Sequence, residues 1–172
     1  MAATFIQRLA LTGVLLLVAT ASSVATARAQ GAYGYVFGAP GAASCCGESK
    51  GTFHVGGGGE FITPIGIGVG GEIGFLGPWD SFGDGLGVLS LNGSYHFGRG
   101  NSRLRPFVTG GYSLLFREGS ANLWNVGGGV QYWFREGLAL RVEFRDHVDT
   151  EYGETGHFWG VRVGLSFGQG GR

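Results

Sequence analysis

Cysteine is nearly missing from this chain. Its two cysteines, Cys45 and Cys46, are neighbours, so they cannot staple distant parts of a fold, and a disulfide-framework protein is excluded. They lack the C-x-x-C spacing or the nearby histidine pair of a zinc site. We read them as loop residues that an oxidising compartment could pair. Lysine is as scarce, with Lys50 alone beside eleven arginines. The 12 basic and 12 acidic side chains balance, and loss of a leader carrying Arg8 and Arg28 leaves the remainder slightly acidic. Charge therefore gives no reason to expect nucleic acid as a partner. A long apolar run is also absent: the stretch from Leu9 to Val18 falls short of the roughly 20 residues that a spanning helix needs.

That short stretch has another reading. Arg8 precedes it, and Ala27-Arg28-Ala29 puts small residues where a signal peptidase cuts. Residues 1–29 are expected to be a secretory signal peptide cleaved after Ala29, and residues 30–172 to form one domain with one core.

Glycine, by contrast, is abundant, at 37 residues. Such a level can signal disorder, but 13 phenylalanines, six tyrosines, four tryptophans and a hydrophobic content of 44% argue for a chain that buries or embeds much surface. After the leader no long helical pattern appears. What recurs is alternation at period two, broken by turn-forming clusters. In the last segment Trp159, Val161, Val163, Leu165 and Phe167 share one face, against Gly160, Arg162, Gly164 and Ser166. The same rule runs through residues 53–61, 65–75, 89–97, 107–116, 124–134 and 138–145, and a shorter run, Tyr33, Tyr35 and Phe37, brings the count to eight strands. Connections at Thr63-Pro64, Gly98 to Arg103 and Arg135-Glu136-Gly137 are compact. Those at Ala39 to Gly51, Gly77 to Asp84 and Val148 to Gly156 are longer and polar, with Arg117 to Asn122 a short exception. An up-and-down meander with both termini on the tight-turn side follows.

Alternation alone does not say which face is inside, so the second face decides. It carries glycines, hydroxyls, histidine and the charges Glu60, Glu72, Arg141, Glu143, Arg145 and Arg162. That is a poor water-facing exterior, since soluble surfaces are about a quarter to a third charged. As an interior it works: the lumen of an eight-stranded barrel is just wide enough for side chains to fill, glycines make room for long ones, and three positive groups match three negative. The apolar face then meets lipid. Its aromatics form two rings, Tyr95, Phe97, Tyr132, Phe134 and Phe167 towards the short turns, and Phe75, Phe116, Trp124, Phe144 and Trp159 towards the loops, as at lipid headgroups. The expected fold is all-β, an eight-stranded antiparallel up-and-down transmembrane β-barrel. A soluble sandwich or ligand-binding calyx is the alternative, and it does not account for the Gly/Arg/Glu face.

The segments Arg105 to Tyr112, Val126 to Trp133 and Leu140 to Asp146, in this order and followed by a closing strand to Phe167, resemble small outer-membrane β-barrel proteins of the superfamily that includes the transmembrane domain of outer membrane protein A. The resemblance implies an outer-membrane location and recognition of Phe167, as the final-strand aromatic, by the barrel assembly machinery. Gly168 to Arg172 extend past the point where a typical member stops, and a cell-wall-binding activity is not expected to carry over.

Chemistry is sparse. Gly66 to Gly71 satisfies G-x-G-x-x-G, but alternation continues through Glu72, Ile73 and Gly74 where a dinucleotide site needs a helix. His147 with Glu143, Asp149 or Glu151 is the better enzyme candidate, and it looks in part like the lipid A deacylases among small barrels. Asp149 stands where such an enzyme has its serine, so the nucleophile is lacking. Arg141, Glu143, Arg145 and Arg162 could line a porin-like pore, yet wide channels use about twice as many strands. The expected function is a structural or surface-interaction role with the longer loops outward. A lipid-modifying enzyme and a small channel are the alternatives. No catalytic, cofactor or metal site is assigned, and the expected partners are outer-membrane lipid and the assembly machinery, with the barrel a monomer.

Overall fold

The computed structural model describes residues 31–45, 48–98, 102–117, 119–149 and 155–168. The expected signal peptide, Cys46, Glu151 and the tail from residue 169 lie outside the described residues. Eight strands follow one another: β1 (Gly31–Cys45), β2 (Glu48–Ile62), β3 (Ile67–Pro78), β4 (Leu86–His96), β5 (Leu104–Phe116), β6 (Ser120–Arg135), β7 (Leu138–Asp149) and β8 (Gly156–Gly168), with one 3-10 turn at Phe82–Asp84. Each pairs antiparallel with the next and β1 pairs with β8, so the sheet closes and leaves no free edge.

The period-two pattern becomes a pattern of exposure. On β8 Arg162 and Ser166 are buried while Trp159, Val161, Val163, Leu165 and Phe167 are exposed. Ser90, Asn92 and His96 of β4 are buried against exposed Leu89, Leu91 and Tyr95, and β5 and β6 follow suit. A water-soluble barrel would invert this order, because exposing such a band of Ile, Val and Leu to water is costly. Exposed aromatics flank the band, with Tyr95, Phe97, Tyr132, Phe134 and Phe167 at the tight-turn end and Phe116, Trp124, Phe144 and Trp159 at the other. The tight turns rest on glycine. Gly66 (φ 89°) and Gly137 (φ 74°) adopt the left-handed conformation that closes the β2–β3 and β6–β7 hairpins.

One expectation is corrected. Over its described residues the stretch from Ala39 to Gly51 is strand and not loop: β1 and β2 stay paired from Ala39↔His54 to Cys45↔Glu48. Small residues there carry no apolar alternation, but a backbone ladder needs none, and β8 stays paired with this part of β1 as far as Ser44↔His157. Gly77 and Pro78 likewise belong to β3, and Val148 and Asp149 to β7.

A further finding concerns β1, whose sense the alternation left open. Its alternating aromatics do not face lipid: Tyr33, Tyr35 and Phe37 are buried in the lumen, and Val36 between them is exposed. Space explains it. A Cβ on Gly58 of β2 would lie 2.8 Å from the Tyr35 hydroxyl, one on Gly56 would lie 2.8 Å from Phe37 Cζ, and one on Gly164 of β8 would lie 3.0 Å from Phe37 Cβ. The inward glycines on either side of β1 leave the room that its rings fill.

Candidate functional site

The barrel's interior is the densest concentration of chemistry in the molecule. All six charges that alternation assigns inward are buried, and the closed sheet brings them into one chain of alternating sign. Glu60 meets Arg141 at 3.3 Å, Arg141 meets Glu143 at 3.0 Å, and Glu143 meets Arg145 at 2.5 Å. Arg145 lies 3.7 Å from Glu72, and Glu72 lies 2.8 Å from Arg162. A buried ion costs several kcal/mol unless it is matched. Here each interior member of the chain touches two opposite charges.

Neutral groups complete the satisfaction of the carboxylates. Glu60 accepts from the Tyr33 and Ser94 hydroxyls and from His96 Nε2 at 2.8 Å, and Glu72 accepts from the Tyr35 hydroxyl at 3.0 Å. The guanidiniums lie over rings, Arg141 at 4.0 Å from the Phe107 centroid and Arg162 at 4.3 Å from that of Phe37. The aromatics of β1, whose side alternation left open, are therefore partners of the network. Arg105, also buried, was missed because the alternation of the fifth strand was traced only from Phe107 onward.

Both ends of the lumen are sealed. Towards the tight turns Tyr33, Ile62, Trp133 and Ala139 pack together, with Tyr33 edge-on to Trp133 and His96 stacked on Phe107. Towards the loops Val88, Leu115 and Leu123 form an apolar lid, joined by Leu76, Leu86 and Phe158. Beneath it, beside His54, His147, Arg145 and Arg162, lies a gap of about 20 Å³, and another beside Tyr35, Phe37 and Arg141 is about 10 Å³. Either holds about one water at most.

His147 is drawn into this interior and away from the roles proposed for it. Its Nδ1–H donates to the Phe158 carbonyl at 3.3 Å, and its ring stands 6.0 Å from that of His54. His54 Nδ1 accepts from Arg162 at 3.4 Å, because a guanidinium can only donate. His54 therefore carries its proton on Nε2 and His147 is bare at Nε2, and neither nitrogen has a hydrogen-bond partner. Glu143 turns to Arg141 and Arg145, so the structure does not bring it to His147 as an acid partner, and His147 is not on the lipid side. Gly66 to Gly71 runs from a tight turn straight into β3, with no helix start to hold a phosphate. Among the described residues no cluster of three or more His, Cys, Asp or Glu could hold a metal ion.

The architecture recurs in solved structures. The N-terminal β-barrel domain of Pseudomonas aeruginosa OprF superposes with a TM-score of 0.62 at 18% identity, over 81% of this chain and 97% of that one. Neisserial surface protein A gives 0.64 at 12% identity over 79% of this chain and 96% of the other. A designed transmembrane β-barrel gives 0.51 at 17% identity, over 81% and 95%. No curated protein matches the sequence. The model of the OprF membrane domain matches residues 85–171, half of the chain, and with a sealed, charge-matched lumen inside an apolar exterior the protein belongs to that family of outer-membrane eight-stranded barrels.

Proposed function

We propose that the protein is a structural and surface-interaction barrel, exported by cleavage after Ala29, inserted as a monomer by the assembly machinery through Phe167, and carrying its long β1–β2 hairpin on the outer side. The observation that supports this reading is the filled lumen. Gaps of about 20 and 10 Å³ beneath an apolar lid favour a packed interior over a conduit or a ligand-binding calyx. The loop end remains as the surface open to partners. Cys45, which is disulfide-bonded, lies near the hairpin tip and supplies the test. After mild reduction, an impermeant thiol reagent should label intact cells, and labelling only after lysis would contradict the orientation.

A further inference from the structure

The six charges of the lumen network are matched, but two further charges of the same parity are not. On β2 Thr52 and His54 are buried towards the barrel axis, so Lys50 and Glu48, two and four residues before Thr52, share their side of the strand. Both are exposed, and among the described residues neither side chain enters an ion pair. Ala43 of β1 is directly opposite Lys50 on one side and directly opposite Phe158 of β8 on the other. This small side chain at the centre, with Gly156 two residues before Phe158, leaves a groove of about 190 Å³ whose lining includes Ala43, Glu48, Lys50, Gly156 and Phe158.

Phe158 packs against the apolar lid and also lines the small gap beneath it, so it stands between the closed lumen and this open groove. The groove is smaller than the roughly 300–1,000 Å³ of sites for drug-sized ligands, which restricts its occupant to a small molecule. Inward parity keeps acyl chains away, so that molecule comes from water. Residues two apart on a strand lie about 7 Å apart, and lysine and glutamate both have flexible stems. An anion held by Lys50 alone would sit near the Glu48 carboxylate, and a cation held by Glu48 alone would sit near the Lys50 ammonium. Such like-charge contacts discriminate against ligands of a single sign. A molecule that carries both signs close together satisfies both groups, and the apolar surface of Ala43 and Phe158 calls for an apolar part beside those charges.

We infer that this groove binds free α-amino acids with an apolar side chain. Lys50 Nζ donates to the α-carboxylate and Glu48 accepts from the α-ammonium, two charge-assisted hydrogen bonds, while the ligand's side chain covers Ala43 and Phe158. A peptide fits poorly, because its charged ends are separated by the residues between them. The inference names a ligand class for the loop end and rests on the surface-interaction reading. Thiol labelling tests which side of the membrane that end faces, whereas binding to the purified protein tests the ligand alone.

The test uses the full-length protein in lipid nanodiscs and reads binding by saturation-transfer NMR. The probes are L-leucine, isocaproate, which lacks the ammonium, and isoamylamine, which lacks the carboxylate. Leucine should saturate with a Kd of about 1 mM or tighter, and each analogue should bind about 10-fold or more weakly. Lys50→Gln and Glu48→Gln should each weaken leucine by about 10-fold. The variants should also change the order of the analogues. Glu48→Gln removes a repulsion and should bind isocaproate more tightly than the unaltered protein does, and Lys50→Gln should do the same for isoamylamine. Both positions are exposed, and heat-modifiable electrophoretic migration confirms that each variant is folded. No saturable leucine signal up to about 10 mM, analogues that bind as tightly as leucine, or leucine binding unchanged in either variant overturns the inference.

Discussion

β1 and β8 share the seam that closes the barrel and both alternate at period two, yet they turn their bulk in opposite directions. β8 sends Trp159, Val161, Val163, Leu165 and Phe167 into lipid and keeps Gly160 and Gly164 inside with Arg162. β1 sends Tyr33, Tyr35 and Phe37 inside and leaves Gly34, Val36 and Gly38 on the exterior. The difference teaches that alternation specifies two faces but not their sense, which the neighbours set. β8 offers Gly164 opposite Phe37, and β2 offers Gly56 opposite Phe37 and Gly58 opposite Tyr35. A ring on β1 finds a hole on both sides. It also finds a purpose, since Tyr33 and Tyr35 bring hydroxyl donors to Glu60 and Glu72 that no aliphatic side chain could supply.

The largest effect should come from cutting the network on which both strands converge. Glu72 joins Arg162 of β8 to Tyr35 of β1 and also touches Arg145. Glu72→Ala leaves two guanidiniums short of a partner in a sealed interior, and we expect a loss of about 3–5 kcal/mol in urea unfolding followed by tryptophan fluorescence in lipid vesicles. Replacing both partners, as Glu72→Leu with Arg162→Met, should recover most of that loss, because the penalty comes from the orphaned charges and not from absent attraction. If the double variant is no better than the single one, the chain of charges is not the unit that β1 and β8 share.

Much of this was legible in the residues. Glu60, Glu72, Arg141, Glu143, Arg145 and Arg162 were assigned inward by parity alone, because a strand fixes the side of every second residue once one is known. Their near cancellation followed from the cost of enclosed charge. Three things were not legible. The sense of β1 was hidden because its aromatics resemble those of the lipid face, and only the register with Gly56, Gly58 and Gly164 reveals that they have room inside. The length of β1 and β2 was hidden because Ala39 to Gly51 has small residues on both faces, so pairing there leaves no hydrophobic signature. His147 reads from its neighbours as an enzyme candidate beside Glu143, Asp149 or Glu151, although it keeps the parity of Arg141, Glu143 and Arg145 and so belongs with them inside. The same parity turns Asp146 and His157 outward, a signal present in the sequence that becomes a contact only when β7 and β8 are paired.

The sense of β1 can be broken directly. Val36 is paired with Leu165, so the two lie at one depth on adjacent strands, and both are exposed to the bilayer side. Arginine on the lipid face costs about 2–4 kcal/mol at the midplane and less towards the interfaces, so residues at one depth should pay alike. Val36→Arg and Leu165→Arg should therefore lose stability by similar amounts in the same unfolding assay. A Val36→Arg barrel that is unaffected while Leu165→Arg is crippled would mean that β1 is turned the other way.

The smallest effect asks whether the rings of β1 are filler or partners. Tyr35→Phe keeps the ring seated against Gly58 and removes only the hydroxyl that donates to Glu72 at 3.0 Å. Glu72 keeps its bonds to Arg162, so the cost should be that of one hydrogen bond to a charged group, about 1.5 kcal/mol. Tyr95 on the exterior, whose ring packs edge-on against Phe97, is the matched control, and Tyr95→Phe should stay within about 0.5 kcal/mol. Equal costs at the two positions would reduce Tyr35 to a space-filling role. A cost confined to Tyr35 would mean that β1 turned its aromatics inward for their hydroxyls as much as for their bulk, which is why phenylalanine suffices only at position 37, where the ring lies under Arg162 and no carboxylate needs a donor from it.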